Sequence, residues 1–195
     1  MADAGPRTWV EAAEKLEGFE DVADHATVEL GRAEPPRVLR FTMKPFLTQY
    51  ADSDARFAED IIQSICDTFQ GSDDNGDTKS VAYFEEKMEA AHSLKGGLAS
   101  SGWVEASQPA FAVEVLAKAI IVMLTKKKLD TRFRCDVVDG LKDRYTLDEL
   151  QLVFPLYLEC MERRMKMLID WFEQKVRPLL AVFKEAESGS EYSDS

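Results

Sequence analysis

The sequence predicts an all-α protein, an antiparallel four-helix bundle with an extra N-terminal helical segment. Three observations carry that expectation. Apolar residues recur at three- and four-residue spacing over long stretches. Helix-capping signatures stand ahead of several of these stretches, at Thr8–Glu11, Asp52–Asp54 and Thr146–Glu149. One such stretch also carries a compact group of chemically distinctive residues around His92. With 195 residues, 45% hydrophobic and 31% charged, the chain is ordinary globular material with enough length for one proper core.

Thr8-Trp9-Val10-Glu11 reads as a capping box opening a short helix over 8–17, with Trp9, Ala13 and Leu16 on one face and Gly18 ending it. The signal from Phe19 to Gly31 is mixed, and Pro35-Pro36 marks a break. Val38–Phe41 fits a short strand or the lead into a helix. His25 lies among Asp21, Asp24 and Glu29 and reads as a solvated loop residue. Residues 1–43 are therefore an N-terminal extension, and 44–186 the helical bundle.

The bundle opens with a helix over Lys44–Tyr50. A second, Ala55–Gln70, is expected to bury Phe57, Ile61, Ile62, Ile65 and Phe69. Gly71–Lys79 is a polar loop. Aligning Gly76 with the glycine of a calcium-binding EF-hand loop puts Gly71 and Ala82 at its first and last ligand positions, where neither offers the required oxygen. The third helix runs from near Ser80 to near Ser101. Trp103–Leu124 reads as the fourth, regular from about Gln108 because proline suits a first turn, with Phe111, Val115, Ala119 and Val122 on one face. Lys126–Lys128 looks like a basic run for an acidic partner, but at the end of a helix it more simply complements the C-terminal dipole. A short helix is expected around Val137–Lys142. A long one follows Thr146, broken at Pro155, with a core stripe of Leu158, Met161, Met165, Leu168, Ile169, Phe172 and Val176. Residues 187–195 form an acidic, Ser-rich tail expected to be disordered.

Composition narrows the function classes. A net charge of −12 argues against nucleic acid, which needs a basic face. Cys66, Cys135 and Cys160 form no C-x-x-C pair, so a reduced compartment, the cytoplasm, is expected rather than a disulfide framework or zinc site. The first residues lack the basic start and apolar core of a signal peptide. The run Ala110–Leu124 contains Glu114 and Lys118 and reads as too short and too charged to span a bilayer. No membrane role and no bound metal or cofactor is expected.

The chemistry concentrates in Ala90–Gly102. Leu94 and Leu98, with Met88 and Ala91, make an apolar stripe, and His92 lies about 100° around the helix from Ala91, at its flank. Lys95, three residues on, reaches the same surface. Gly96 and Gly97 are poor helix formers, each costing about 1 kcal/mol against alanine, so their place suggests a need for room. A neutral imidazole is a nucleophile near neutral pH. A phosphoryl group on it would bring roughly two negative charges, which Lys95 could counter. Glu85 and Glu89 precede His92 on its own face and would favour the imidazolium or orient the ring. For Glu89 the plain alternative is a solvated helix residue.

His92-x-x-Lys95-Gly96, followed by small residues and Gly102, resembles the signature of histidine-containing phosphotransfer (HPt) domains. Upstream, Phe46-Leu47-x-x-Tyr50-Ala51-Asp52-Ser53-Asp54-x-x-Phe57-x-x-Asp60-Ile61-Ile62-x-x-Ile65-x-x-x-Phe69 resembles the opening helices of that family. Ala110, Val113 and the helix ending near Val176–Leu180 are compatible, so the resemblance covers about 44–184. It implies that His92 is the phosphoacceptor, that Lys95 stabilises the phosphoryl charge and that Gly96 gives access, with Ser93, Gly97 and Glu89 as binding residues. The implied partners are response-regulator receiver domains, which bring the Mg²⁺, and a hybrid histidine kinase; the carrier itself is a monomer, cytoplasmic or also nuclear in a eukaryote. It would be a stoichiometric carrier and not an enzyme, since the chain has no kinase ATP site and no receiver pattern. The loop at 71–79 and the segment 129–145 are longer than the family pattern, and the first 40 residues have no counterpart in it. The alternative is a helical scaffold in which the motif is coincidental, with His92 filling space at a helix flank.

Overall fold

The computed structural model describes residues 8–22, 38–70, 78–126 and 136–190, and these are mostly helical. The elements are α1 (Trp9–Glu14), β1 (Phe19–Val22), β2 (Val38–Phe41), α2 (Lys44–Tyr50), α3 (Ala55–Gln70), α4 (Val81–Ser100), α5 (Val104–Thr125), α6 (Asp136–Arg144), α7 (Leu147–Trp171), a π turn (Phe172–Val176) and α8 (Arg177–Ser190). Helix α4 packs on α3 and α5, α5 on α7 and α6, and α8 returns to α3.

Thr8 caps α1 by accepting from the Glu11 N–H at 3.2 Å. Val38–Phe41 takes the strand alternative: it pairs antiparallel with Phe19–Val22, Phe19 facing Phe41 and Val22 facing Val38. Its partner lies across residues 23–37, and the pairing depends on tertiary contacts. Phe19 stacks on Phe41 at 4.7 Å and leans on Trp171 at 5.8 Å, while the Trp171 indole donates to the Glu17 carbonyl at 3.0 Å. Trp9, Ala13, Leu39 and Phe41 accordingly belong to the same core as the long helices.

Helices α2, α3, α4 and α6 fall where the periodicity puts them, within two residues at each end. Asp54 caps α3 by accepting from the Phe57 N–H at 2.7 Å, and Ser80 caps α4 by accepting from the Tyr83 N–H at 3.1 Å. On α3 the buried stripe is Ala55, Ala58, Ile62, Ile65 and Cys66. Phe57 departs from the expectation: it is exposed, on the outer flank of that stripe with its ring 5.8 Å from Tyr50. Ile61 and Phe69 are only partly buried.

Helix α5 begins at Val104, ahead of the expected Gln108, and carries Pro109 in its interior. Trp103 holds that first turn: its indole donates to the Thr42 carbonyl at 3.0 Å, and its ring stacks on Phe46 at 5.0 Å. Val115, Ala119 and Val122 are buried as expected, but Phe111 is exposed. At 22 residues α5 exceeds the Ala110–Leu124 run and is long and apolar enough to cross a membrane; its residues are instead mostly buried inside the protein.

The Thr146–Glu149 capping box forms at the start of α7. The expected break at Pro155 does not occur, and α7 runs through it. Pro155 is exposed, so water can serve the carbonyl its missing N–H leaves free. The start of the tail expected to be disordered is also helical. Helix α8 continues to Ser190, sustained by the helix-forming run Lys184–Glu187, and 191–195 lie outside the described residues. His25, most of the loop at 71–79, Lys127, Lys128 and Cys135 also lie outside them, while Cys66 and Cys160 are buried free thiols.

Candidate functional site

Helix α4 presents the site, and its lower end is fixed by a glycine. Gly102 adopts φ +86°, and a Cβ there would stand 2.5 Å from the Pro45 carbonyl oxygen, so only glycine fits. The Trp103 N–H then donates back to the Leu98 carbonyl at 2.9 Å, closing the helix. Ala91, Leu94 and Leu98 are buried and set the rotation of α4. That rotation leaves His92 outward in the middle of the helix, its side chain 64% exposed.

The ring is held from the neighbouring helix. His92 Nδ1 lies 3.0 Å from Glu114 Oε1 on α5. Lys95 Nζ donates to Glu114 Oε2 at 2.6 Å, and Lys118, one turn further along α5, donates to Oε1. Glu114 is only 2% exposed. Burial alone would raise its pKa. The hydrogen bonds from Lys118, Lys95 and His92 overcome that and hold it down at about 2. The carboxylate therefore stays ionised at neutral pH and can only accept. A neutral imidazole satisfies it by carrying its proton on Nδ1, which leaves the Nε2 lone pair free.

The expected site residues sort clearly against this geometry. His92 and Lys95 come together on one carboxylate. At Gly96 nothing lies within 4 Å of where a Cβ would stand, so the surface beside His92 is open. Gly97 has a packing role, its Cβ position 3.6 Å from the Ile65 side chain of α3. Ser93 and Glu89 are exposed. The acid that orients the ring is Glu114 and not Glu85 or Glu89. Glu114 and Lys118 were visible in the sequence only as charges interrupting an apolar helix. That was nonetheless a signal, since a buried carboxylate requires partners.

Exposed apolar side chains flank the group. Phe111 is 42% exposed, and Lys95 Nζ lies 5.6 Å from its ring centroid. Val104 falls on the same stripe of α5 and is also exposed. A pocket of about 550 Å³ lies on another face of α4, lined by Phe69, Lys87, Leu94, Met161, Arg163 and Lys166 among others. Among the described residues no three His, Cys, Asp or Glu side chains are grouped to hold a metal ion.

The depressed Glu114 pKa links stability to pH. A carboxyl whose folded pKa is lowered stabilises the fold above its unfolded value, here 4.5, and loses that contribution as pH falls toward 2. Urea unfolding followed from pH 6 to pH 2 should lose up to about 3 kcal/mol from this group. In Glu114→Gln the component should vanish, leaving a shallower acid limb.

Comparison with family models, with curated proteins and with solved structures gives no match for this chain.

Proposed function

We propose that this protein is a phosphorelay carrier. His92 accepts a phosphoryl group from a receiver-domain aspartate, or from a kinase, and hands it to another receiver. One observation carries the reading: a solvent-facing histidine whose Nδ1 is engaged by an ionised, buried carboxylate, with a lysine beside it and an open glycine next to it. That arrangement presents Nε2 as a nucleophile on an exposed helix face, open to a reactive group carried by a macromolecule. Lys95 supplies positive charge where the phosphoryl oxygens would sit. The receiver partner contributes the Mg²⁺ and its acidic pocket. With a net charge of −12, docking relies on the apolar Phe111 and Val104 more than on long-range attraction.

Incubation with a phosphorylated receiver and Mg²⁺ tests the reading. The protein should gain one phosphoryl group that survives base and is lost in acid, as a phosphoramidate N–P bond does. No transfer from several receivers would favour the alternative, a helical scaffold with no transfer activity.

Two variants probe the surroundings of the ring. Lys95→Ala should slow transfer roughly ten- to hundredfold, by removing the nearest positive charge. The fold should survive at a cost of about 1–3 kcal/mol, because the buried Glu114 loses one charged donor but keeps Lys118 and His92. Stopped-flow transfer at the wild-type rate would leave Lys95 without an electrostatic role. Gly96→Leu should fold at least as stably as wild type, gaining up to about 1 kcal/mol from helix propensity in open space. It should nevertheless transfer poorly, because the leucine occupies the approach to His92. Undiminished transfer would reduce Gly96 to a helix-surface residue.

A further inference from the structure

We propose that the pocket between α3, α4 and α7 is a binding site for a small apolar monoanion, a carboxylic acid with a hydrocarbon body. The proposal is independent of the carrier reading.

The space has a cause in the packing. Helix α4 rests on α3 and α5, and α7 rests on α5. α7 faces α3 and α4 across a gap of about 550 Å³. Ligand pockets span about 300–1,000 Å³, so a small organic molecule fits. Helix α4 contributes Lys87, Ala90 and Leu94, three and four residues apart on one face. The single methyl of Ala90 leaves the gap unfilled. His92 is two residues from Ala90, about 200° around the helix, so the pocket and the histidine lie on opposite faces of α4.

The floor is apolar. Phe69, in the last turn of α3, meets Leu94 and Met161 there. Leu94 and Met161 are buried and Phe69 is partly buried. Such a floor takes hydrocarbon, and the thioether of Met161 adapts to its shape.

The walls carry charge. Lys87 is 2% exposed, so its ammonium acts with little solvent screening. It lies 5.6 Å from the centroid of the Tyr83 ring and 3.9 Å from the exposed acid Glu86. Across the gap, α7 sets Glu159, Glu162, Arg163 and Lys166 on one face at helical spacing. Arg163 is shared with Asp21 at 3.3 Å. Lys166 is exposed and makes no ion pair among the described residues, so it can turn onto a ligand.

The balance of these charges selects the ligand class. Lys87, Arg163 and Lys166 against Glu159 and Glu162 leave one net positive charge on the lining, in a chain of net charge −12. One anionic head matches that charge. A phosphate monoester brings close to two charges and meets the two glutamates as repulsion. An inorganic anion leaves the apolar floor unused, and a neutral hydrocarbon leaves the lysines unused. The carboxylate therefore sits against Lys166 at the mouth, with the hydrocarbon body on Phe69 and Met161.

The test uses the full chain with carbon-13 in the methionine methyl groups. Three probes are compared: 3-phenylpropionate, its neutral amide 3-phenylpropionamide, and inorganic phosphate. The Met161 methyl signal, assigned by its loss in Met161→Leu, senses the ring current of a bound phenyl group. 3-Phenylpropionate should shift it saturably, with half-saturation at about 5 mM or below. The amide should bind at least about fivefold more weakly, and phosphate should neither shift the signal nor compete. Lys166→Glu alters an exposed side chain and should keep the fold. It should weaken 3-phenylpropionate about tenfold and leave the amide nearly unchanged. Ala90→Phe fills the pocket and should abolish the shift, with far-UV circular dichroism reporting its fold; should it not fold, Lys166→Glu and the amide decide the question. The proposal is overturned by the absence of a saturable Met161 shift up to about 50 mM, by equal affinity for acid and amide, or by full affinity in Lys166→Glu or in folded Ala90→Phe. Competition by an equal concentration of phosphate would also overturn it, because the site would then select charge alone.

Discussion

His92→Gln should abolish phosphoryl labelling while leaving the fold and partner binding near those of wild type. The side chain is 64% exposed, so glutamine fits without disturbing the core. Its amide N–H can still donate to Glu114, so the carboxylate keeps all its donors and Lys95 keeps its place. What is lost is the lone pair on Nε2, which an amide nitrogen cannot replace. His25 is the only other histidine in the chain, so acid-labile label has few places to go. The measurement is incorporation from a phosphorylated receiver, with far-UV circular dichroism and receiver binding run alongside. Label that persists in His92→Gln would move the acceptor elsewhere and leave the His92–Glu114 pair as a structural feature of the α4–α5 contact.

Local relations were legible and long-range ones were not. His92, Lys95 and Gly96 lie within four residues on one helix, where 3.6-residue periodicity places them on the surface without knowledge of any neighbour. The caps at Thr8, Asp54 and Thr146 are local in the same sense, each acting within three residues. Glu114 is 22 residues from His92 and on another helix, so its contact with the ring depends on how α4 and α5 pack. The nearby acids Glu85 and Glu89 were the only partners that spacing could offer. β1 and β2 illustrate the same limit, since each four-residue strand owes its conformation to the other. Phe57 and Phe111 were placed in the core because aromatic residues at helical spacing usually go there. Both lie at the edge of a stripe that smaller residues complete: Ala55 and Ala58 on α3, Ala110 and Ala117 on α5. Pro155 read as a break because proline removes a hydrogen bond, but that cost is small where the orphaned carbonyl meets water.

Asp21→Ala should be the most destabilising single change outside the hydrophobic core, costing about 3–5 kcal/mol. Asp21 is 2% exposed and accepts from Arg164 Nε at 2.8 Å and from Arg163 Nη1 at 3.3 Å. Arg164 is 1% exposed, and among the described residues its two terminal nitrogens have no hydrogen-bond partner, so Asp21 is the main compensation for a buried guanidinium. Removing the acid leaves that charge desolvated and alone, which costs more than the ion pair itself contributes. The pair also ties β1 to α7, so its loss should loosen the strand pair together with the Trp171–Glu17 contact beside it. Two further variants separate the charge from the packing. Asp21→Asn keeps a hydrogen-bond acceptor and should lose less. Asp21→Ala combined with Arg164→Met should recover much of the loss, because neither buried charge then remains. Urea unfolding at pH 7 measures all three. A loss below about 1 kcal/mol in Asp21→Ala would mean that water reaches Arg164 once the acid is gone. None of these changes touches α4 or Glu114, so the folded fraction of each variant should carry label on His92 as wild type does.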